Sequence, residues 1–365
     1  GRGLYADVED LQTEDLDART HGDLFHNVHH DLLCKILNFE MGGDREIDFS
    51  IDSKIPLSIA KSGINEEEIM KIALEVLDDR APWLNRSDAV STNRVRMMTG
   101  MNLREWMNWT PNPQPTPIAG RIGRMIREEL KLTGAIPLAL EWELINHDER
   151  GIEIELPAEI TIPNGEALPS LRLRGMIDRV DLLSFDENES IWFDAEGSET
   201  IAPLKIIGTD WKPRRLIAIR DLKTSESTKV TDRHAKGLLE ELQLALYARA
   251  WEIAHPGDLV VAAGISVLGH KTTHLIEISN RFNPTNEGAS FGNRTSITHD
   301  RYRFKNENND PQSDPLRAWL AARISVALGV ANGAKNGRVH PTPSQDACKF
   351  CRVAEICDVN LKEDN

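Results

Sequence analysis

The fold is decided by two stretches of sequence, Arg174-Gly175-Met176-Ile177-Asp178-Arg179-Val180-Asp181 and Ile217-Ala218-Ile219-Arg220-Asp221-Leu222-Lys223. Each is a short apolar run in which charged residues recur. Side chains two residues apart on a strand share a face, so Asp221 and Lys223 are expected to emerge together at the end of the second run. The two stretches therefore predict two strands, each with an Asp near one end, and a Lys beside the second Asp.

A helix is predicted to follow over residues 237–254, with Gln243 and Tyr247 four residues apart on one of its faces. Taken alone, an Asp-x-Lys is more simply explained as a surface ion pair. The ordered set of two acidic residues, a lysine and this helix is instead typical of nucleases that cut with a divalent metal ion. In such a site two carboxylates hold the ion, and an ammonium group stabilises the attacking water or the charge that develops on phosphorus.

The composition is that of an ordinary globular protein. Of the 365 residues, 40% are hydrophobic and 28% are charged. No apolar run approaches the roughly 20 residues needed to span a bilayer. Three of the four cysteines are crowded between Cys348 and Cys357, which argues against a spread disulfide framework. We therefore expect a cytoplasmic protein without a membrane partner.

The net charge of -15 speaks against a protein that coats nucleic acid nonspecifically, because phosphate binding requires Lys and Arg. The placement of charge matters more than its sum, however. Basic residues gather from Lys212 to Lys236, and a second set recurs at three- and four-residue spacing from Arg121 to Lys131, as a stripe on a helix. We expect both sets to line a groove for DNA; for the stripe, a solvated helix face is the alternative.

The periodicity of apolar residues changes along the chain, from helical in the first part to strand-like after about residue 136. Amphipathic helices are predicted over residues 20–39, 66–78, 120–132, 237–254 and 314–334. Strands are predicted over residues 138–145, 152–162, 171–183, 216–222 and 260–268, and a polar loop over 281–312. The mixture predicts an α/β protein with a mixed sheet flanked by helices.

Four short motifs stand in order along the chain: Gly22-x3-His26, Gly175-x2-Asp-Arg-x-Asp181, Asp221-x-Lys-Thr224 and Gln243-x3-Tyr247. With these motifs the chain resembles the RecB-like branch of the PD-(D/E)XK nuclease superfamily, over nearly its whole length. The resemblance implies a restriction-endonuclease-like fold with an N-terminal helical segment and a C-terminal cysteine-rich tail. Residues 1–135 would be the helical part that carries the Gly-x3-His motif, residues 136–270 the catalytic core, and residues 271–365 a polar loop, a helix and the tail.

The resemblance also implies roles for individual residues. The catalytic set would be Asp178, Asp221, Lys223, His26, Gln243 and Tyr247. Within it, Asp178 and Asp221 would bind Mg2+ or Mn2+, Lys223 would stabilise charge, and His26 would be a further metal or phosphate contact. Gln243 and Tyr247 would organise the site and the DNA strand. Glu141 matches an acidic position of the family and is a further candidate metal ligand.

Two of these residues have simpler explanations. A histidine on a helix is more often structural than catalytic, and His21, His29 and His30 compete with His26 for the role. Asp181, the last residue of its motif, is most simply explained by an ion pair with Arg179 or Arg172. We favour the ion pair for Asp181 and the functional role for His26.

The C-terminal tail carries Cys348-x2-Cys351-x5-Cys357. Thiolates at this spacing suit an iron–sulfur cluster, with zinc as the rival. The spacing resembles that of the iron–sulfur nucleases, including AddB-type helicase–nuclease subunits, in which a fourth, N-terminal cysteine completes a [4Fe-4S] cluster. Here no cysteine precedes Gly22, so the fourth ligand would be Cys34 or a cysteine upstream of Gly1 in a longer protein.

The AddB-type resemblance implies an exonuclease that acts on DNA ends in double-strand-break processing, together with an AddA-like helicase–nuclease subunit. It further implies that the chain is the C-terminal nuclease part of a longer protein. The alternatives are a stand-alone RecB-like nuclease of the kind found in CRISPR adaptation, and a catalytically silent DNA-binding scaffold of the same fold. The intact set of Asp178, Asp221 and Lys223 counts against the scaffold.

Overall fold

A computed structural model describes residues 18–38, 40–44, 58–82, 121–146, 149–156, 170–183, 192–193, 199–200, 215–224, 229–269, 274–279, 290–302, 314–337 and 348. The helices are α1 (Ala18–Leu37), α2 (Glu66–Arg80), α3 (Arg121–Lys131), α4 (Val230–Leu239), α5 (Gln243–Ala254), α6 (Ile297–Tyr302) and α7 (Pro315–Lys335). The strands are β1 (Ala135–Glu143), β2 (Ile145–Asn146), β3 (Glu149–Arg150), β4 (Ile152–Ile154), β5 (Leu171–Leu173), β6 (Met176–Leu183), β7 (Trp192–Phe193), β8 (Glu199–Thr200), β9 (Arg215–Lys223), β10 (Asp258–Val267), β11 (Leu275–Ile278) and β12 (Asn293–Arg294).

Six of these strands form one mixed sheet in the order β1-β6-β9-β10-β11-β12. Strand β6 is antiparallel to β1 and to β9, whereas β9 and β10 are parallel. The α4–α5 connection between β9 and β10 is the kind of helical crossover that parallel neighbours require. The predicted α/β fold, a mixed sheet flanked by helices, is therefore confirmed.

The helices cover the two faces of the sheet with separate apolar clusters. On one face, Ile217 and Ile219 of β9 pack in a cluster with Trp251 of α5 and Trp319 of α7. On the other face, α1, α2 and α3 share a second cluster with Leu140 and Leu222. Because neighbouring residues of a strand point to opposite faces, β6 and β9 each present one set of side chains to α5 and α7 and the other set to the N-terminal helices.

The helix predicted over residues 237–254 is two helices instead of one. The backbone amides of Glu240 and Glu241 both donate to the carbonyl of Lys236, which closes α4 with a tight turn. Gly237 packs directly on β10, where a Cβ would come within 2.3 Å of the side chain of Ile265. The break places Gln243 at the first residue of α5 rather than in the middle of a long helix.

The polar segment 281–312 is not simply a loop where the structure describes it. Residues 290–302 contain β12 and α6, and the amides of Ile297 and Thr298 donate to the carboxylate of Glu277 on β11. An acidic side chain at a helix N-terminus satisfies free amides and complements the helix dipole.

Among the described residues, no helix combines the length and the apolar character that a membrane span requires. The proline-rich residues 110–117 lie outside the described part of the chain.

Candidate active site

Three acidic residues lie in a row across neighbouring strands at one end of the sheet. Strand register pairs Leu140 with Arg179 and Trp142 with Ile177, so Glu141 of β1 lies level with Asp178 of β6. Register also pairs Arg179 with Arg220, and one further step sets Asp178 opposite Asp221 of β9. The sequence stretches that predict the fold thus bring their two aspartates face to face.

The side chains of Asp178 and Asp221 form a pair that is largely shielded from solvent. Asp178 is half-buried and its Oδ2 accepts a hydrogen bond from the backbone N–H of Leu222, at 2.7 Å. Asp221 is 2% exposed. Burial raises the pKa of Asp178, and burial together with the negative charge of Asp178 raises the pKa of Asp221 to about 6, although Lys223 opposes the second shift. Two carboxylates at facing positions of neighbouring strands create a local excess of negative charge, and a bound cation would relieve it.

Lys223 lies beside this pair. Its Nζ is 2.8 Å from one Asp221 oxygen and 2.9 Å from the other, and its side chain is 28% exposed. The ammonium group is therefore anchored by the carboxylate yet open to solvent on one side. This geometry follows from the strand period of two, which sets Asp221 and Lys223 on one face.

Helix α1 brings two histidines to the same region. His30 Nδ1 is hydrogen-bonded to Glu141 Oε1 at 2.9 Å, and this bond holds the pKa of Glu141 below its usual value. The His26 ring centroid lies 6.0 Å from that of His30. Burial, with the charges of His30 and Lys223, lowers the pKa of His26 to about 4. His26 is therefore neutral at pH 7, the form in which an imidazole nitrogen can bind a metal.

The backbone at Glu141 has a left-handed φ of 48°. This conformation costs a non-glycine residue about 1–2 kcal/mol, and such strain concentrates at functional sites. The left-handed residue lies at the position where β1 turns a carboxylate toward His30. This strain is consistent with the prediction that Glu141 belongs to the site.

Helix α1 approaches the end of β9 at Gly22. A Cβ at this position would lie 3.0 Å from Thr224 Oγ1, which is closer than side chains normally pack. Glycine therefore allows the first turns of α1, and with them His26, to lie against the end of β9. The Gly-x3-His spacing has a steric reason here.

We expect Gly22→Ala to lower phosphodiester cleavage about 10-fold, because the added methyl group pushes α1 and His26 away from β9 by a few tenths of an ångström. Stability should change little, since alanine favours a helix by about 1 kcal/mol over glycine and offsets the contact strain. Gly329→Ala on α7 is the matched control, because nothing lies within 4 Å of its Cβ position. Initial cleavage rates and melting temperatures of both variants test the expectation, and equal rates would contradict it.

Gln243 and Tyr247 lie on one face of α5, as predicted, and Gln243 Nε2 donates to Tyr247 Oη at 3.2 Å. The Tyr247 hydroxyl would be 3.3 Å from a Cβ at Gly175, the residue just before β6. The pair therefore borders the start of the strand that carries Asp178. Glycine at position 175 leaves room for the tyrosine ring at the edge of the site.

The residues present fit a divalent metal ion of the hard type. Asp178 and Asp221 offer carboxylate oxygens, and the pKa values of both carboxyl groups are raised. His26 is neutral at pH 7, because its pKa is about 4. Among the described residues, no group of three or more His, Cys, Asp or Glu is arranged so that it could hold a metal ion. A Mg2+ ion rarely uses such a group, because it retains several waters and binds one or two carboxylates together with substrate phosphates.

Asp181 makes the ion pair that the sequence favours. Arg179 Nε donates to Asp181 Oδ1 at 2.8 Å, and Arg220 Nε donates to the other oxygen. Asp181 is fully buried on the face of the sheet opposite to Asp178. Its partner is therefore Arg179, with Arg220 as a second partner that the sequence alone does not suggest.

Three residues of the basic stripe on α3, namely Arg124, Arg127 and Lys131, make polar contacts in the structure. Arg124 Nε donates to the carbonyl of Gly269, Arg127 pairs with Glu66, and Lys131 pairs with Glu128. Arg124 and Arg127 are half-buried. Arg124 and Arg127 thus join α3 to Gly269 and to Glu66 of α2, and the lining of a DNA groove by this stripe stays a prediction.

The cysteine site cannot be assembled from the described residues, since Cys351 and Cys357 lie outside them. Cys348 is buried, and Cys34 packs against the apolar cluster of α1, α2 and α3. Neither of these two is part of a disulfide. The [4Fe-4S] cluster and the role of Cys34 stay predictions.

Sequence reasoning missed His30 as the partner of Glu141. The signal is present in its spacing, because His26 and His30 are four residues apart and share a helix face. It also missed Asp31, whose carboxylate accepts two hydrogen bonds from Arg80 and ties α1 to α2. Both contacts join residues far apart in the chain, and so only the folded structure shows them.

One comparison with known proteins gives a match, over part of the chain. No curated protein matches the chain. Residues 209–358 match the family model described as the PD-(D/E)XK nuclease superfamily; Asp221, Lys223, Gln243 and Tyr247 lie inside this range, and Asp178 precedes it. The six-stranded mixed sheet and its flanking helices are consistent with a restriction-endonuclease-like fold. A domain of the PD-(D/E)XK nuclease superfamily is thus found in residues 209–358 of this chain.

Proposed function

We propose that this chain is a divalent-metal-dependent nuclease that hydrolyses phosphodiester bonds of DNA at the site of Asp178, Asp221 and Lys223. The observation that carries the proposal is the pair of facing carboxylates with raised pKa values and an ammonium group 2.8 Å from one of them. The match of residues 209–358 to a nuclease superfamily supports it.

Each residue has a distinct task in this proposal. Asp178 and Asp221 hold Mg2+ or Mn2+, and Glu141 and His26 are further candidate ligands. The ion supplies Lewis acidity and lowers the pKa of a water molecule. Lys223 places positive charge next to the phosphorus, where negative charge grows as the water attacks and the bond to the leaving oxygen breaks. Gln243 and Tyr247 orient the DNA strand at the edge of the site, where the Tyr247 hydroxyl borders Gly175.

The finer proposal is an exonuclease that processes DNA ends at double-strand breaks, as the C-terminal nuclease part of an AddB-like protein with an AddA-like partner. A [4Fe-4S] cluster on Cys348, Cys351 and Cys357, with Cys34 or a residue elsewhere as fourth ligand, belongs to this finer proposal. It is supported by the order of the four motifs and by the cysteine spacing. A cytoplasmic location stays a prediction.

The test is a cleavage assay with end-labelled linear DNA, in duplex and single-stranded form, and a closed circle of the same sequence. Mg2+ or Mn2+ should permit cleavage, and EDTA should prevent it. Stepwise loss of label from linear DNA with an intact circle supports the exonuclease, whereas nicking of the circle indicates an endonuclease. Absence of cleavage on every substrate with both metal ions contradicts the proposed function.

Metal binding should weaken in mild acid. The pKa of Asp221 is about 6 because burial disfavours its charged form, and metal binds the deprotonated carboxylate. At about pH 5 only about one tenth of this group is deprotonated, so we expect the Kd for Mn2+ to be about 10-fold higher than at about pH 7.5. Calorimetric titration without DNA measures it; a Kd that is constant over this range would exclude Asp221 as a titrating ligand.

A further inference from the structure

A cluster of buried charged and polar side chains lies behind the two candidate metal ligands, on the opposite face of the sheet. We name it the back-face network. Its members are fully or almost fully buried: His29, Glu129, Arg179, Asp181, Arg220 and His274. It joins α1, α3, β6, β9 and the residue just before β11. The proposed catalytic chemistry uses none of these side chains.

Asp181 is the centre of the network. One of its oxygens accepts from Arg179 Nε at 2.8 Å and the other from Arg220 Nε at 2.5 Å. Arg179 Nη1 donates to Glu129 Oε1 at 2.6 Å, and His29 Nε2 lies 2.7 Å from the same oxygen. A single carboxylate on β6 thus holds an arginine from its own strand and an arginine from β9.

The network is joined to the candidate metal ligands by the strands themselves. Arg179 directly follows Asp178, Arg220 directly precedes Asp221, and the two arginines are register partners. Like charges directly opposite on neighbouring strands repel, so this register needs the bridging carboxylate of Asp181. Because the next residues in the same register are Asp178 and Asp221, whatever fixes the arginine pair also fixes the spacing of the carboxylates on the front face.

Stability alone does not explain the network. Buried ion pairs lose hydration that their attraction often does not recover, and apolar residues of similar volume serve a core at least as well. Within the described residues, Arg179 Nη2 and Arg220 Nη1 have no hydrogen-bond partner, which is a further cost. Leu140, Leu222 and Ala218 are apolar on the same face. Geometric specificity is the advantage that ionic contacts provide and apolar contacts do not.

We propose that Asp181 is a positioning residue: by bridging Arg179 and Arg220 it fixes the β6–β9 register so that Asp178 and Asp221 converge on one divalent cation. This inference rests on the proposed function, because it assumes that the two front-face carboxylates share a metal ion. Through Arg179, Glu129 and His29 the same contacts position α1, which carries His26 three residues before His29.

The test compares Mn2+ binding, measured by calorimetry without DNA, with thermal stability. In the double variant Asp181→Leu/Arg220→Met one negative and one positive charge are removed, so the Arg179–Glu129 pair stays balanced and the protein is expected to fold. We expect its Kd for Mn2+ to rise about 10-fold even if its melting temperature equals that of the wild type. The single variant Asp181→Asn should weaken Mn2+ binding to a similar degree and also lower the melting temperature.

Asp258→Asn is the matched control. Asp258 is a buried aspartate that faces the other end of β9, where it accepts from both Arg215 and Trp251 at 2.7–2.8 Å. This variant should lose stability and retain the wild-type Kd. If the folded double variant binds Mn2+ as tightly as the wild type, Asp181 has a purely structural role and the proposal is overturned. If the wild type itself binds no divalent cation, the proposed function fails first, and the positioning role fails with it.

Discussion

Asp221→Asn is expected to abolish DNA cleavage, by about 10³-fold or more, and at the same time to stabilise the metal-free protein. Asparagine keeps the shape of the side chain and removes the charge that binds the metal ion. The pKa of Asp221 is raised by burial and by Asp178 to about 6. The proton is therefore bound more tightly in the folded state, and stability is lost as pH rises from the ordinary aspartate range through about 6. At neutral pH the ionised carboxylate therefore costs the fold roughly 3 kcal/mol, since the raised pKa already includes the attraction of Lys223.

Thermal unfolding in EDTA measures the stability effect, and end-labelled DNA with Mg2+ measures cleavage. Asp300→Asn serves as the control, because this carboxylate is 74% exposed and should affect neither quantity. The increase in melting temperature should disappear near pH 4, where the carboxylate of the wild type is protonated. A variant that is less stable than the wild type at neutral pH, or that still cleaves, would contradict the assignment.

Lys223→Met should reduce cleavage about 10²–10³-fold and leave Mn2+ binding nearly unchanged. Methionine retains the aliphatic stem of lysine and removes the ammonium group that lies 2.8 Å from Asp221. The positive charge of Lys223 is needed when phosphorus gains negative charge, and an ammonium group is not itself a ligand of the metal ion. The loss should therefore appear in the rate of the chemical step rather than in the Kd of the metal.

Single-turnover cleavage and calorimetric Mn2+ titration separate these effects. Lys71→Met on α2 is the comparison, because Lys71 is an exposed lysine that is not part of the candidate site. A variant of Lys223 with wild-type single-turnover rates would show that this residue is only a surface partner of Asp221. A large loss of Mn2+ binding would instead give Lys223 a structural role.

The sequence predicts those parts of the site that depend on short-range periodicity. Asp221 and Lys223 share a face because a strand repeats every two residues, and Gln243 and Tyr247 share a face because a helix repeats about every four. The α/β class follows from the alternation of these two periods along the chain. The facing of Asp178 and Asp221 is less foreseeable, because Asp178 lies near the start of β6 and Asp221 near the end of β9. The two residues meet because these strands are antiparallel.

The sequence does not predict contacts that are set by three-dimensional packing. Glu141 and His30 are separated by more than a hundred positions, and the left-handed turn that directs Glu141 has no local signal such as glycine. The stripe of Arg124 and Arg127 looks like an open cationic face, yet these side chains are used in contacts with Gly269 and Glu66. A helical periodicity indicates which residues share a face, but it does not indicate what that face contacts.

The site combines residues of α1, β1, β6, β9 and α5, from His26 to Tyr247, and this affects how the protein folds. Such long-range contacts form late, because the entropy of closing long loops must be overcome first. Before β1, β6 and β9 have paired, the chain has no place where the ligands for a cation are together. A cation that binds only the native state stabilises it by mass action, and contacts absent from the folding transition state act on the unfolding rate. Mg2+ or Mn2+ should therefore slow the unfolding of this protein and leave its folding rate unchanged.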